Sequence, residues 1–354
     1  MSLRMAVALA AAAGLAVAGA AAQHANVVPV FAVDPAWPKS LPNGWRVGPV
    51  SGLSTDARDH IWLLHRGEAV KQADGTPAPP VIEFDAAGNV VQTWGGPGPG
   101  YEWPQQVHGI TVDARDRVWI SGNGATDTHI LVFTRQGRFL RQIGRSGKRG
   151  GSDDTANVAM ATQMRVDTEA GEVFVSDGEM NQHHRVIVFD AETGAYKRHW
   201  GAYGGRPDDA SAADRVDPAA PPSRQFGSAV HCVRFDRDGL VYVCDRGNNR
   251  IQMFRKDGTF QGETFVARAS GAAATVFDLD FSPDGQFVYV ADGGNQKVWI
   301  LRRDGMRVVG SFGERGGAAG QFATALHDLT VDPSGNVYTG EAAAAGRVQK
   351  FARK

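Results

Sequence analysis

The sequence predicts an all-β chain folded as a six-bladed β-propeller, its ring closed by a strand from the N-terminal side. Three observations carry this. One pattern of short apolar runs separated by Asp- and Gly-containing turns occurs six times. The residue ending the first run of each copy (Asp56, Asp113, Asp167, Asp236, Ser282, Asp332) recurs at intervals of 46 to 69 residues, the period of a propeller blade. Glycine supplies 44 of 354 residues, about one in eight against a usual one in fourteen or so, which favours tight turns and short strands. A four-stranded sheet cannot bury both faces alone, so six copies must stack around an axis.

Taken in order, Met1–Ala22 (MSLRMAVALAAAAGLAVAGAAA) has an early Arg4, an apolar core and a small-residue end. It reads as a secretory signal cut between Ala22 and Gln23, which would leave residues 23–354 as one exported domain, periplasmic or secreted. The other reading is a retained membrane anchor, for which an alanine-rich run is weak. Val28–Val33 (VPVFAV) belongs to no copy. The first copy runs from Ser51 to Gly95, the second from His108 to Gly144, the third from Met164 to Gly201 and the fourth from Val230 to Phe265. The fifth spans Leu279–Gly313; the sixth, Leu329–Phe351, lacks a fourth strand. Val28–Val33 is expected to supply it and so remove an exposed sheet edge. Two inserts, Arg145–Asn157 and Ala202–Arg224, are rich in Gly, Asp, Ser or Pro and are expected on one face, over a site.

A balance of 37 Lys+Arg against 38 Asp+Glu leaves no basic excess to grip a phosphate backbone, so a nucleic-acid partner is not expected. Chemistry is suggested by register. Five residues before each repeat-marking position stand Ser51, His108, Thr162, His231, Phe277 and His327. Histidine thus occupies alternate blades at one depth of the channel, three imidazoles about 120° apart. With 10 histidines in the chain, three of six slots fill by chance on the order of once in two thousand. A lone channel histidine is usually structural; three in register match a trigonal metal base with an open fourth position. Zinc is the default ion for such a set, and copper, nickel and iron share its donors. His24, His60, His65, His129, His183, His184 and His199 fall off the register and read as surface or turn residues. Arg66, in LLHRG, lies at the same channel end, either as an anion holder or as a surface turn arginine. Asp328, beside His327, can orient its neighbour or bind a second, hard cation. Cys232 and Cys244 face one another across a hairpin, as a disulfide or as two buried thiols.

The runs VSGLSTDARDHIWLLHRG, VHGITVD, VFVSDG…RVIVF, AVHCVRFD…CDRGNNRIQMF and LHDLTVD…NVYTG resemble the peptidyl-α-hydroxyglycine α-amidating lyases, propellers of NHL-type repeats. The likeness runs in order through nearly the whole chain after Ala22 and is weakest in the fifth repeat. It implies that His108, His231 and His327 bind zinc and that Arg66 is an active-site arginine. It also implies a calcium held by Asp328 and the carbonyls of Leu53 and Ile110. In that family zinc takes the substrate hydroxyl, a tyrosinate is the base, and C–N cleavage gives a peptide amide and glyoxylate. Here the tyrosine expected after Ser176–Gly178 is replaced by Glu179, and the family's disulfide cysteines are not matched.

The expectation is therefore an exported, metal-dependent, lyase-like enzyme acting on a carbinolamide of small-molecule or peptide nature. Zinc and calcium would be its ions, Arg66 its anion holder and Glu179 its base, in a monomer without membrane contact after signal cleavage. The rival is a non-enzymatic propeller that binds a protein or glycan and carries a purely structural metal. A lactonase-type hydrolase ranks last, because such sites use carboxylate and amide ligands.

Overall fold

A computed structural model of the chain describes residues 27–180, 182–209, 217–270, 274–342 and 346–354. The segment read as a signal, Met1–Ala22, lies outside the described residues, as does His24. Among the described residues twenty-four strands, numbered β1 to β24 in chain order, form six four-stranded antiparallel sheets. The innermost strands are β2 (Val50–Thr55), β6 (Val107–Val112), β10 (Ala161–Asp167), β14 (Val230–Phe235), β18 (Asp278–Phe281) and β22 (Leu326–Val331). The second strands are β3 (Ile61–His65), β7 (Arg117–Gly122), β11 (Glu172–Asp177), β15 (Val241–Asp245), β19 (Phe287–Asp292) and β23 (Val337–Glu341).

The repeated aspartate is an anchor as well as a turn residue. One carboxylate oxygen of Asp56 accepts the backbone N–H groups of Arg58 and His60, and the other accepts the indole N–H of Trp62. Asp113 does the same with Arg115, Arg117 and Trp119. Asp236 and Asp332 reach the hydroxyls of Tyr242 and Tyr338. An aspartate thus closes the first hairpin and pins an aromatic ring of the second strand. Ser282 keeps only the turn, accepting the Phe287 N–H through its hydroxyl.

The apolar core is divided into six clusters, and each spans two successive blades, from Trp62 with Ile120 to Tyr338 with Leu63. No blade owns a core, so the ring has to close. Strand β1 (Phe31–Val33) pairs antiparallel with β24 (Arg347–Arg353) and completes the last sheet. Phe31 packs on Tyr289 and Phe312 of the fifth blade, with centroids 5.3 and 4.6 Å apart. The closing strand is shorter than Val28–Val33, because Phe31 already pairs with Arg353, the last residue of β24, and beyond it only the Val30 carbonyl finds a partner, the Lys354 N–H. Among the described residues no helix is long and apolar enough to cross a membrane.

Candidate metal centre

In a blade the first strand begins, and the second ends, on the same face of the ring, so both deliver residues to one channel mouth. Five of the six inner strands carry a register shift at that end: at Ser51, at His108–Gly109, at Thr162, at His231 and at His327. A bulge re-aims its extra residue, and here it turns the residues of one register toward the axis. His108, His231 and His327 meet there as a nearly equilateral triangle, ring centroids 5.0, 4.8 and 4.8 Å apart. Their facing nitrogens all lie within 4.8 Å of one another.

Each of two imidazoles is braced by the next blade. His108 Nδ1 donates to the Thr162 carbonyl (3.0 Å) and His231 Nδ1 to the Phe277 carbonyl (2.6 Å). A carbonyl only accepts, so both tautomers are fixed and both Nε2 atoms present lone pairs. Gly109 permits the first brace, since a Cβ there would stand 2.2 Å from the Thr162 carbonyl oxygen. Nε2 of His108 and of His231 and Nδ1 of His327 are buried without a hydrogen-bond partner among the described residues. An unsatisfied buried polar atom costs about 1–3 kcal/mol, so one on each of three clustered rings calls for a ligand. Burial holds all three pKa values well below the usual histidine range; the nearby Arg66 and Arg246 charges push His108 the same way. Neutral imidazole is the form that binds a metal. The donor set fits one borderline ion such as zinc.

A second layer lies over the triangle and comes from the positions that follow second strands. Arg66, Asn123 and Arg246 each donate a backbone N–H to the residue two before the register position: Pro49, Gln106 and Ala229. Glu179 follows Gly178, whose φ of +144° and lack of a Cβ let the chain pass within 2.4 Å of where one would sit. One Glu179 carboxylate oxygen accepts from Arg246 Nη2 (3.0 Å). The other accepts from Asn123 Nδ2 and stands 3.4 Å from His108 Nε2. Arg66 donates to the Val107 carbonyl (3.0 Å) and to Asn123 Oδ1 (3.2 Å). No carboxylate lies within 4.0 Å of it among the described residues. Burial pushes its pKa down, and the more distant charge of Glu179 opposes that.

A third layer lies deeper. Asp328 accepts the Leu53 N–H (3.0 Å) and the Gln163 amide. Asp278, paired with Arg234 at 2.8 Å, crowds it. Burial first, and Asp278 second, push the Asp328 carboxyl far above its ordinary range. N–H and C=O of a strand residue point the same way, so the Leu53 carbonyl faces the channel with its N–H. Ile110 does likewise, because Val112 two residues on sends its N–H to Ser54 on the neighbouring inner strand. Gln163 Oε1 and Asp278 Oδ1 are buried without hydrogen-bond partners among the described residues. Oxygen donors only, two of them orphaned, fit a hard cation such as calcium.

The structure gathers the residues named from sequence, His108, His231, His327, Arg66, Glu179, Asp328, Leu53 and Ile110, along one channel. Beside them it places Asn123, Arg246, Gln163 and Asp278, which the sequence reading did not name. The signal for the first two was the same repeat register applied one residue past the second strand. Four of the histidines read as surface or turn residues are buried. His65 accepts the Gly48 N–H and donates to the Pro79 carbonyl. His129 bonds the Glu102 carbonyl, and His183 bridges Asp177 and the Gly150 carbonyl. His184 is buried beside it. The two inserts explain the last pair: Ser152 bonds Asp209 and the His183 carbonyl, and Arg185 bonds the carbonyls of Ser152, Asp154 and Asn157. Both inserts join fourth strands to first strands, so their described parts, residues 145–157, 202–209 and 217–224, lie on the histidine face. Cys232 and Cys244 form a disulfide within the β14–β15 pair.

Residues 230–254, the strand carrying His231 and the next two, match the NHL repeat family. Mouse NHL repeat-containing protein 3 is 23% identical over 270 residues, 73% of this chain and 66% of that protein. Peptidyl-glycine alpha-amidating monooxygenase B of Xenopus laevis is 25% identical over 261 residues, 68% of this chain. The aligned region spans 26% of that longer protein. A solved streptogramin B lyase superposes with a TM-score of 0.57 over 92% of this chain and 98% of its own, at 11% identity, a likeness of fold.

Proposed function

We propose that this NHL-repeat propeller is an exported, metal-dependent lyase that breaks the C–N bond of a carbinolamide, an α-hydroxyglycine-like group at the end of a peptide or small molecule. The observation that carries the reading is the meeting of three neutral imidazoles, each with a buried nitrogen lacking a hydrogen-bond partner, beside a guanidinium with no carboxylate within 4.0 Å, both among the described residues. The distant likeness to amidating monooxygenases supports it, and the disulfide suits an oxidising compartment.

His108, His231 and His327 would hold a zinc ion. When bound, it supplies Lewis acidity that lowers the pKa of a substrate hydroxyl. Arg66 offers its guanidinium to the substrate carboxylate, for which a planar fork is suited. Glu179, held by Asn123 and Arg246 so that one oxygen faces the triangle, takes the hydroxyl proton. The electrons of the broken O–H bond form the C=O, and those of the C–N bond leave with nitrogen. Nitrogen then needs one proton, and the protonated Glu179 carries one. The products are an amide and an aldehyde acid, with no net oxidation. Asp328, Asp278, Gln163 and the carbonyls of Leu53 and Ile110 would hold calcium below.

The test is incubation of zinc-loaded protein with a peptide ending in α-hydroxyglycine. Glyoxylate and peptide amide should appear in equal amounts, above the rate in buffer alone. Zinc bound in stoichiometric amount without either product refutes the lyase reading and leaves a binding propeller with a structural metal.

A further inference from the structure

Beside the metal centre, between the first and second blades, lies a groove of about 680 Å³ that opens on the histidine face and ends at Arg66 and Val107. We propose that this groove binds the peptide segment preceding the reacting residue and takes an apolar or aromatic side chain against Trp103. The proposal rests on the carbinolamide reading, since only an amide substrate has such a segment.

The groove is continuous with the site. Val107 immediately precedes His108, and its carbonyl holds Arg66, so a substrate whose carboxylate meets Arg66 has its chain directed past this point. Its volume falls within the range, roughly 300–1,000 Å³, of pockets that enclose a small ligand. Pro49, Pro77 and Pro80 form walls that have no N–H to strand and a backbone already fixed, so little ordering is lost on binding. Trp103 is braced by Phe133 and Tyr101 at 6.1 and 6.4 Å, and Gly95 admits its ring edge, where a Cβ would come within 3.0 Å. A rigid, partly buried indole with an open edge is an anchoring surface for an aromatic or apolar group. At the rim, Lys71 and Glu68 pair at 2.7 Å and offset one another, so the wall away from Arg66 carries no net charge and suits a neutral side chain. The exposed Gln106 side chain can meet a peptide bond on either its donor or its acceptor side.

Two assays separate this proposal from the reading beneath it. The first measures kcat/KM for α-hydroxyglycine substrates with Phe, Ala or Lys before the reacting residue, in wild type, Trp103→Ala and Trp103→Phe. Wild type should prefer Phe over Lys by about tenfold or more, Trp103→Ala should lose that preference through KM, and Trp103→Phe should keep most of it. The second measures calorimetric binding of the unhydroxylated peptide Ac-Ala-Phe-Gly, which needs no turnover. Its affinity should fall about tenfold in Trp103→Ala. Turnover with no Phe preference, or with the preference intact in Trp103→Ala, overturns the groove. Binding that depends on Trp103 without turnover keeps the groove and overturns the lyase reading. Loss of folding in Trp103→Ala leaves Trp103→Phe and the wild-type Phe/Lys ratio to decide.

Discussion

Replacing His231 by alanine removes one corner of the triangle and the brace it makes with Phe277. Zinc binding to sites of this kind is worth roughly 10–16 kcal/mol, so one of three imidazoles carries about 4 kcal/mol, a loss near a thousandfold in affinity. The metal-free protein should change far less. The lost Nδ1 bond contributes about 1 kcal/mol, while the orphaned Nε2, which costs about 1–3 kcal/mol, is lost with it. The effect therefore appears only when zinc is present. At free zinc a hundredfold above the wild-type dissociation constant, binding stabilises wild type by about 2.7 kcal/mol, and a thousandfold weaker site by less than about 0.1 kcal/mol. For a chain of this size that is a shift of about 5 °C. Melting with zinc and with EDTA, together with metal analysis after chelator competition, should give the shift in wild type and none in His231→Ala. Equal zinc affinity in the two proteins would refute a shared ion, because no other residue takes the place of that corner.

Glu179→Gln keeps the hydrogen-bond frame to Arg246 and removes the base, so kcat should fall about 10²–10⁴-fold in a glyoxylate assay while zinc content stays stoichiometric. His65, buried and neutral, has its pKa pushed down to about 4 by desolvation. A folded-state pKa below the unfolded one gives stability that is present above about pH 6.5 and lost as pH falls toward 4, about 3 kcal/mol in all for this group. Urea unfolding of EDTA-treated protein from pH 7.5 to 4.5 should lose less stability in His65→Gln than in wild type, by up to about 2.5 kcal/mol at pH 4.5. Equal slopes would mean that His65 is protonated in the fold.

The inner layer was legible because a repeat turns sequence position into spatial depth: three histidines in one slot of alternate blades had to meet on the axis. What the pattern did not carry was the bulge that aims them, since a bulge is a count of residues between partners and not a residue type. Asn123 and Arg246 were readable by the same ruler moved to the end of the second strand, but those slots hold unlike residues (Arg, Asn, Gly, Arg, Gly, Ala) and so raise no signal by repetition. Gln163 and Asp278 were hidden differently. They act from blades whose register residues are Thr162 and Phe277, one position past a slot that looked empty of chemistry. His183 and His184 lie inside because two aperiodic inserts fold over them, and periodicity says nothing about inserts. The disulfide depended on a Cα separation, 4.8 Å, that pairing arithmetic alone left undecided.

The two guanidiniums bear on whether the channel is built for a substrate or for a scaffold ion. A divalent ion and a guanidinium several ångströms apart repel by a few kcal/mol even at an effective dielectric of about 20. Glu179 offsets Arg246 at 3.0 Å, but Arg66 has only the Val107 carbonyl and Asn123, both neutral. A propeller keeping zinc purely for structure would be better served there by an apolar side chain of similar reach. A site awaiting a carboxylate has reason to keep the charge, because the anion repays the repulsion when it arrives. Arg66→Met therefore tests the distinction by its sign. If Arg66 waits for substrate, the variant should bind zinc at least about tenfold more tightly and melt no lower than wild type when zinc is present. Its kcat/KM for an α-hydroxyglycine peptide should fall by at least a hundredfold, chiefly through KM. If Arg66 instead holds the first two blades together, the variant should melt lower with and without zinc, and the case for an anionic substrate would go with it.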